Sequence, residues 1–462
     1  VLKLTSRLKN RYGIGANDRV AVLALNEVDT IVLFFAVQRL GAMLVPVNYR
    51  LSVRELTHIL ADASPALFIW QRAFEASALE SAKMSNIEAA VPYDGNDALF
   101  SKLEQEPLHH DAPAGSFGSP CMILYTSGTT GKPKGALITN GMLFWNSINT
   151  GLRLNLTQQD VVLTFAPFFH TGGWNVLTTP VLHRGGKVIL LKKFDADRVL
   201  QLCDEAGVTI LFGVPTMMDM MRRAASFEKA KLSTVRYAIV GGEPMPKPLI
   251  ETWHAKGIPV RQGYGLTEFG PNVFSLNEAD AIRKIGSVGF ANFYIETRVV
   301  RDDGTEAGTD EIGELALRGP VCTPGYWNNK EATEQTIRDG WLYTGDLVRK
   351  DAGGYFYIVD RKKDMFISGA ENVYPAEIEH FLRTHPAVYE VAVIGVPDAV
   401  WGESGRAFLV LKPGAVLDEA AVFAFCQGNL AKYKIPKSVR FLPELPKSDS
   451  GKILKRALKE LP

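Results

Sequence analysis

The chain holds 462 residues, 46% hydrophobic and 22% charged, a globular balance that excludes a mainly disordered protein. Its 51 Lys+Arg against 50 Asp+Glu leave a net charge of +1, so it carries no basic field of the kind that gathers nucleic acid or an anionic membrane surface. The length suits roughly three domains, or one large and one small.

Val1 falls inside an amphipathic pattern marked by Leu4 and Leu8, which points to a missing upstream segment and leaves targeting signals unreadable. Residues 20–25 are expected to form a strand, 29–40 a helix and 43–47 a second strand. The apolar stretch 31–47 is interrupted by Gln38 and Arg39, so it reads as a buried helix running into a strand, not as a membrane span. Ser52-x-x-Glu55 is a capping-box signature opening a helix to residue 60, and 66–69 is another buried strand. The alternation returns with strands at 161–165, 188–191, 210–212 and 238–240. The predicted fold class is therefore α/β, a large N-terminal domain of layered, largely parallel sheets and helices. Past residue 300 the texture changes, with antiparallel strands expected at 313–318 and 355–359. A small α+β domain follows: helices at 376–383 and 418–430, strands at 391–396 and 408–411. The basic run Asp360-Arg-Lys-Lys-Asp364 is the expected linker, dividing the chain into domains 1–360 and 361–462.

Cys121, Cys203, Cys322 and Cys426 lie too far apart for a CxxC metal or redox site or a disulfide framework, which favours a reducing, cytoplasmic compartment.

The most informative stretch is Tyr125-Thr-Ser-Gly-Thr-Thr-Gly-Lys-Pro-Lys-Gly135, following the apolar residues 122–124. A glycine-rich turn after a strand exposes backbone N–H groups, hydroxyls add donors and Lys132 and Lys134 add charge, all suited to a polyphosphate. It is not a Walker A loop, since Pro133 follows Lys132 and Thr126 stands where the first glycine would be. No G-x-S-x-G elbow occurs.

This loop resembles the signature of the adenylate-forming superfamily of acyl- and aryl-CoA synthetases, luciferases and nonribosomal adenylation domains. Further stretches match in order: Pro167-Phe-Phe-His170, Gly241-Gly-Glu243, Gly263-Tyr-Gly-Leu-Thr-Glu268, Tyr343-Thr-Gly-Asp346, Asp360-Arg-Lys-Lys-Asp364, Gly369-Ala-Glu-Asn-Val-Tyr-Pro375 and Ser450-Gly-Lys452. The resemblance implies ATP, Mg²⁺ and CoA as cofactor and cosubstrates. It implies a nucleotide site built from Thr126, Ser127, Gly128, Thr129, Thr130, Gly131, Lys132, Lys134, Gly241, Gly242, Glu243, Tyr264, Gly265, Thr267, Asp346 and Arg361. Tyr264 would stack on adenine, Asp346 would accept the ribose hydroxyls, with Arg361 beside it, and Thr267 would donate to the α-phosphate. Glu268, helped by Thr126, resembles the Mg²⁺ ligand. Lys452 would enter from the small domain and bridge acyl carboxylate and α-phosphate, making Lys452, Thr267 and Glu268 the catalytic set. Lys363 matches the hinge of a mobile C-terminal domain, and Gly369, Ala370 and Glu371 the border of the CoA channel. Ala370 departs from the glycine many relatives have there, and its Cβ restricts φ.

His170, Trp174 and Gly242 are the expected acyl-pocket residues. The wall around them is apolar, and no carboxylate lies within residues 171–177 to meet a substrate ammonium, so an amino acid is disfavoured. Residues 170–174 and the Gly-Gly-Glu turn look most like bacterial fatty-acyl-CoA synthetases, which makes a fatty acid the expected substrate. An aryl or short-chain carboxylate, a fatty acyl-AMP ligase and a silent nucleotide or acyl binder are the alternatives. Trp174 reads equally as a gate of a fatty-acyl tunnel or as a core tryptophan. No nucleic-acid partner is expected; peripheral membrane contact and a homodimer stay open.

Overall fold

The structure, a computed structural model, describes residues 1–96, 98–126, 133–243, 245–368, 371–448 and 452–461. Its packing divides the chain into two compact units, residues 1–296 with 317–342, and residues 297–316 with 343–462. The expected linker at 360–364 thus lies within the second unit.

The first unit holds two sheets. Strands β1 (Arg19–Leu23), β2 (Met43–Pro46), β3 (Leu67–Trp70), β4 (Ala90–Pro92), β5 (Pro120–Thr126) and β6 (Lys134–Thr139) form the first, in the order β4-β3-β1-β2-β5-β6. All its pairs are parallel except the β5–β6 hairpin. Parallel neighbours need crossover helices, and helices Val28–Arg39 and Val53–Ala63 supply the first two. The capping box is formed: the Ser52 hydroxyl accepts from the Glu55 N–H, and the Glu55 carboxylate accepts from the Ser52 N–H at 2.9 Å. The stretch 31–47 is helix then strand as expected, and among the described residues no helix is long and apolar enough to cross a membrane. Strand β6 was not expected, because Lys-Pro-Lys-Gly reads as punctuation rather than as the start of a strand.

The second sheet runs β13-β12-β11-β10-β9-β7-β8, with β7 (Val161–Thr164), β8 (Lys187–Leu190), β9 (Ile210–Gly213), β10 (Tyr237–Val240) and β11 (Val260–Tyr264) parallel. Short β12 (Phe274–Ser275) and β13 (Phe290–Ala291) extend it antiparallel. Val, Ile and Leu dominate these strands because helices cover both faces, and Trp253 and Tyr237 are wholly buried beside them. Phe168 and Trp174, from the segment after β7, bury themselves in the core of the first sheet with Leu33, Phe34 and Val37.

The second unit is mostly antiparallel. Strands β14 (Glu296–Val300), β15 (Gly313–Arg318) and β17 (Trp341–Lys350) are neighbours in that order, with β18 (Phe356–Arg361) also on β17. The short strand β16 (Ile337–Arg338) makes a hairpin with the first residues of β17, which still belong to the first unit. Beyond it β19 (Phe366–Ser368), β20 (Glu371–Val373), β21 (Val388–Asp398), β22 (Gly402–Leu411) and β23 (Ser438–Phe441) form a further sheet, with helices Pro375–Leu382 and Glu419–Cys426. The helix expected over 418–430 stops at Cys426, two residues before Gly428 adopts φ 75°. The strands expected at 391–396 and 408–411 are the inner parts of the longer pair β21–β22. All four cysteines are free.

Candidate active site

In a parallel α/β sheet the loops that can meet a ligand are those leaving the carboxyl ends of the strands. In the first unit the residues singled out by sequence stand there. Strand β7 leads to Pro167-Phe-Phe-His170, β10 to Gly241-Gly-Glu243, β11 to Tyr264 through Glu268, and β5 ends at Thr126. Because β7 to β11 are parallel, the first three of these loops leave the second sheet by one edge.

Two glycines make this edge possible. Gly242 has φ +89°, which a side chain would strain. Gly265 passes so close to Pro271 that an added Cβ would lie 1.4 Å from the Pro271 carbonyl oxygen. The loop folded back by that approach carries buried Thr267 and half-buried Glu268 in the short helical turn Thr267–Phe269. Tyr264, half-buried, pairs with Phe274 across β11–β12, the rings 5.9 Å apart.

Glu268 does not stand by itself. The Tyr326 hydroxyl donates to its Oε1 at 2.9 Å, and the Lys134 ammonium lies 5.4 Å from the centre of the Tyr326 ring. Lys134 is in turn the strand partner of Thr126, whose hydroxyl donates to the Lys134 carbonyl at 3.4 Å. Burial, and then the charge of Glu268, push the Tyr326 phenol well above its ordinary pKa, so it remains a donor. Thr126, Lys134, Tyr326 and Glu268 therefore form one chain of contacts. Ser127, Gly128, Thr129, Thr130, Gly131 and Lys132 lie outside the described residues.

Among the described residues no three His, Cys, Asp or Glu side chains gather as a metal cage. A lone hard carboxylate fits Mg²⁺, which keeps waters and completes its shell with substrate phosphates; it would not fit a structural Zn²⁺.

The two expected aromatic-wall residues part company. His170 is exposed, and its Nδ1 accepts the Gly172 N–H at 3.0 Å, capping the short helix Thr171–Trp174. Trp174 is 1% exposed; its indole N–H donates to the Phe168 carbonyl at 2.5 Å, and its ring stacks on Phe168 at 4.3 Å and leans on Phe34 at 5.2 Å. Of the two roles the sequence offers for Trp174, gate and core, this burial and packing favour the core.

Several residues that hold this edge were not anticipated. Buried Asn26, just past β1, donates to the Ala166 carbonyl at 2.9 Å and accepts the Phe168 N–H at 3.0 Å. Asn146 donates to the Asn175 carbonyl at 2.7 Å, and Asn272 donates to Thr150 Oγ1 at 2.7 Å and to the carbonyls of Asn175 and Val176. Segment 166–176 is thus fixed from three directions. The only sequence cue is that asparagines occupy otherwise apolar surroundings.

In the second unit Asp346 and Arg361 are register partners across β17–β18, and Arg361 Nε lies 2.6 Å from Asp346 Oδ1. Asp346 is 3% exposed, a buried carboxylate inside a strand, not the turn residue its Gly-Asp context suggests. Lys363 is exposed in the turn after β18. Glu371 opens β20, exposed, opposite Ser368; Gly369 and Ala370 lie outside the described residues. Lys452 is exposed, its N–H donating to Ser448 Oγ at 3.2 Å. Three residues on, the half-buried Lys455 pairs with Glu379 at 2.8 Å.

The profile of the family described as AMP-binding enzyme matches residues 1–327, and that of the AMP-binding enzyme C-terminal domain matches residues 377–452. A feruloyl-CoA synthase of Amycolatopsis sp is 40% identical over 96% of this chain and 88% of its own. An indoleacetate–CoA ligase of Aromatoleum aromaticum is 38% identical over 100% of this chain and 91% of its own. Among solved structures, o-succinylbenzoate CoA synthetase from Bacillus subtilis, bound to its acyl-adenylate intermediate, superposes with a TM-score of 0.89 at 32% identity, covering 100% of this chain and 92% of that one. A Mycobacterium tuberculosis fatty acyl CoA synthetase superposes with a TM-score of 0.79 at 35% identity, covering 99% and 90%.

Proposed function

Since the chain belongs to the AMP-binding enzyme family, and the CoA ligases it matches over nearly its whole length make it an AMP-forming CoA ligase using ATP, Mg²⁺ and CoA, we propose that its acid is an aromatic carboxylate. The observation that carries this reading is that two relatives matching nearly the whole chain are a feruloyl-CoA synthase and an indoleacetate–CoA ligase, whose named acids are both aromatic. The packing of Trp174, hydrogen-bonded, stacked and 1% exposed, speaks only against a fatty-acyl tunnel gated by that residue. A fatty acid is the second reading, favoured by the likeness to the mycobacterial fatty acyl CoA synthetase. Cytoplasmic action, where ATP and CoA are at hand, belongs to either.

The chemistry follows from charge. An ionised carboxylate needs no general base to attack the α-phosphorus of ATP; pyrophosphate leaves, and the CoA sulfur then attacks the acyl carbon and expels AMP. The first step brings anions together, so the site must supply cations and donors. Lys452 bridges carboxylate and α-phosphate, Thr267 donates to that phosphate, and the hydroxyls and lysines of the 126–134 stretch supply donors and charge for the remaining phosphates. Mg²⁺, when bound, draws charge from the phosphate oxygens, and Glu268 holds it. Tyr264 stacks on adenine against Gly241 and Gly242, and Asp346 accepts from the ribose with Arg361 beside it. His170 borders the acid. Rotation at Lys363 of residues 361–462 then exchanges Lys452 for the CoA channel beside Glu371.

The test is pyrophosphate release over a panel of hydroxycinnamic, arylacetic, benzoic and straight-chain fatty acids, with and without CoA. Aromatic acids should lead in kcat/KM by about tenfold or more. A fatty acid at the head of the panel would overturn the aromatic reading and leave the ligase class standing.

A further inference from the structure

Tyr326 lies 58 residues from Glu268 in sequence, yet its backbone is fastened to the strand that leaves the phosphate loop. Leu137 N–H donates to the Gly325 carbonyl at 3.1 Å, Trp327 N–H to the Gly135 carbonyl at 2.7 Å, and Ala136 and Tyr326 form a β-bridge between them. The Thr323 hydroxyl adds a bond to the Leu137 carbonyl at 2.6 Å, while the Thr323 N–H donates to the Glu268 carbonyl at 2.9 Å. Segment 323–327 is therefore tied on one side to β6 and on the other to the turn that carries Glu268.

From this position the phenol reaches Glu268 Oε1 at 2.9 Å, and the ring carries the Lys134 ammonium. A carboxylate with one oxygen taken by a fixed O–H donor has its rotamer set, and the other oxygen is left to face a cation. We propose that Tyr326 is a positioning residue for the metal carboxylate. It orients Glu268 and, through the same ring, couples that orientation to Lys134 and the phosphate loop. The inference rests on the reading of Glu268 as the group that meets Mg²⁺.

Tyr326→Phe separates the two roles of the residue, since it keeps the ring under Lys134 and removes only the hydroxyl. The measurement is Mn²⁺ binding by electron paramagnetic resonance, with the whole protein and α,β-methylene-ATP, alongside nucleotide binding without metal and the melting curve. Loss of a hydrogen bond behind a metal ligand weakens the metal by about 10- to 100-fold. The expected result is a loss of that size in Mn²⁺ affinity with metal-free nucleotide binding unchanged, a split that simple destabilisation would not give. Glu268→Gln is measured in parallel. If Glu268→Gln weakens Mn²⁺ and Tyr326→Phe does not, the positioning role is overturned while the Glu268 assignment stands. If neither variant weakens Mn²⁺, the Glu268 assignment has failed and takes the proposal with it.

Discussion

The two units present their functional groups in opposite ways. In the first, Tyr264, Gly265, Thr267 and Glu268 leave a buried parallel strand and are folded back by a backbone approach that only glycine permits. Their neighbours Phe168 and Trp174 are part of the core itself. In the second, Asp346 and Arg361 face each other across an antiparallel pair, while Lys363 and Lys452 stand exposed. The difference teaches where function and stability are coupled. In the first unit the loops proposed to face substrate are continuous with the hydrophobic core, so altering them disturbs both. In the second the lysine proposed to bridge carboxylate and α-phosphate is exposed.

The sharpest test of that contrast is Trp174→Ala. Removing a fully buried, stacked indole costs about 3–5 kcal/mol of stability. The melting temperature should fall steeply, while relative preference among acids stays as in the parent. A changed acid profile with an unchanged melting curve would return Trp174 to the pocket.

Lys452→Ala should show the reverse. Its exposed side chain predicts an unaltered melting curve, and loss of a charge contact made in the transition state predicts a fall of about 10²–10³ in acyl-AMP formation. Thioester formation from supplied acyl-AMP should survive. Equal loss in both half-reactions would sink the assignment.

Gly265→Ala gives the smallest expected effect and the mixed case. A Cβ 1.4 Å from a carbonyl oxygen forces the Tyr264–Pro271 loop to shift, at about 1–3 kcal/mol. Stability and ATP–pyrophosphate exchange should decline together. A drop in only one of them would mean that this loop is less firmly joined to the core than its geometry implies.

Much of this was legible in the sequence because the chemistry uses residues that are conspicuous wherever they occur. Glycines at 242 and 265 mark a positive φ and a close backbone approach, and recurring apolar runs mark the parallel strands, while the hydroxyl and lysine run at 126–134 supports the proposal of a phosphate site. The illegible part is what depends on contacts distant in sequence. Tyr326 reaches Glu268 across 58 residues and Asn26 clamps the Phe168 segment across more than 140, and neither pairing leaves a periodic trace. Trp174 was ambiguous for a related reason: an indole four residues after His170 suits a pocket wall or a core equally, and the presence of Phe34 opposite it decides. Asp346 follows a glycine, a context that taken alone suits a turn, and it is set inside β17 by its partner strand, a pairing the local sequence does not announce.

The division of the chain has one more consequence, for how it is made. The units are interleaved: the first takes residues 317–342 after the second has already claimed 297–316. Synthesis runs from the N-terminus at about 5–20 residues per second, so neither unit can close when its first segment leaves the ribosome. The segment carrying Tyr326 arrives late, and β15 waits for β17. A shortened protein ending at residue 296 would lack the Glu268 partner altogether, and one ending at 342 would carry off residues 297–316 of the second unit, so no single cut separates the two.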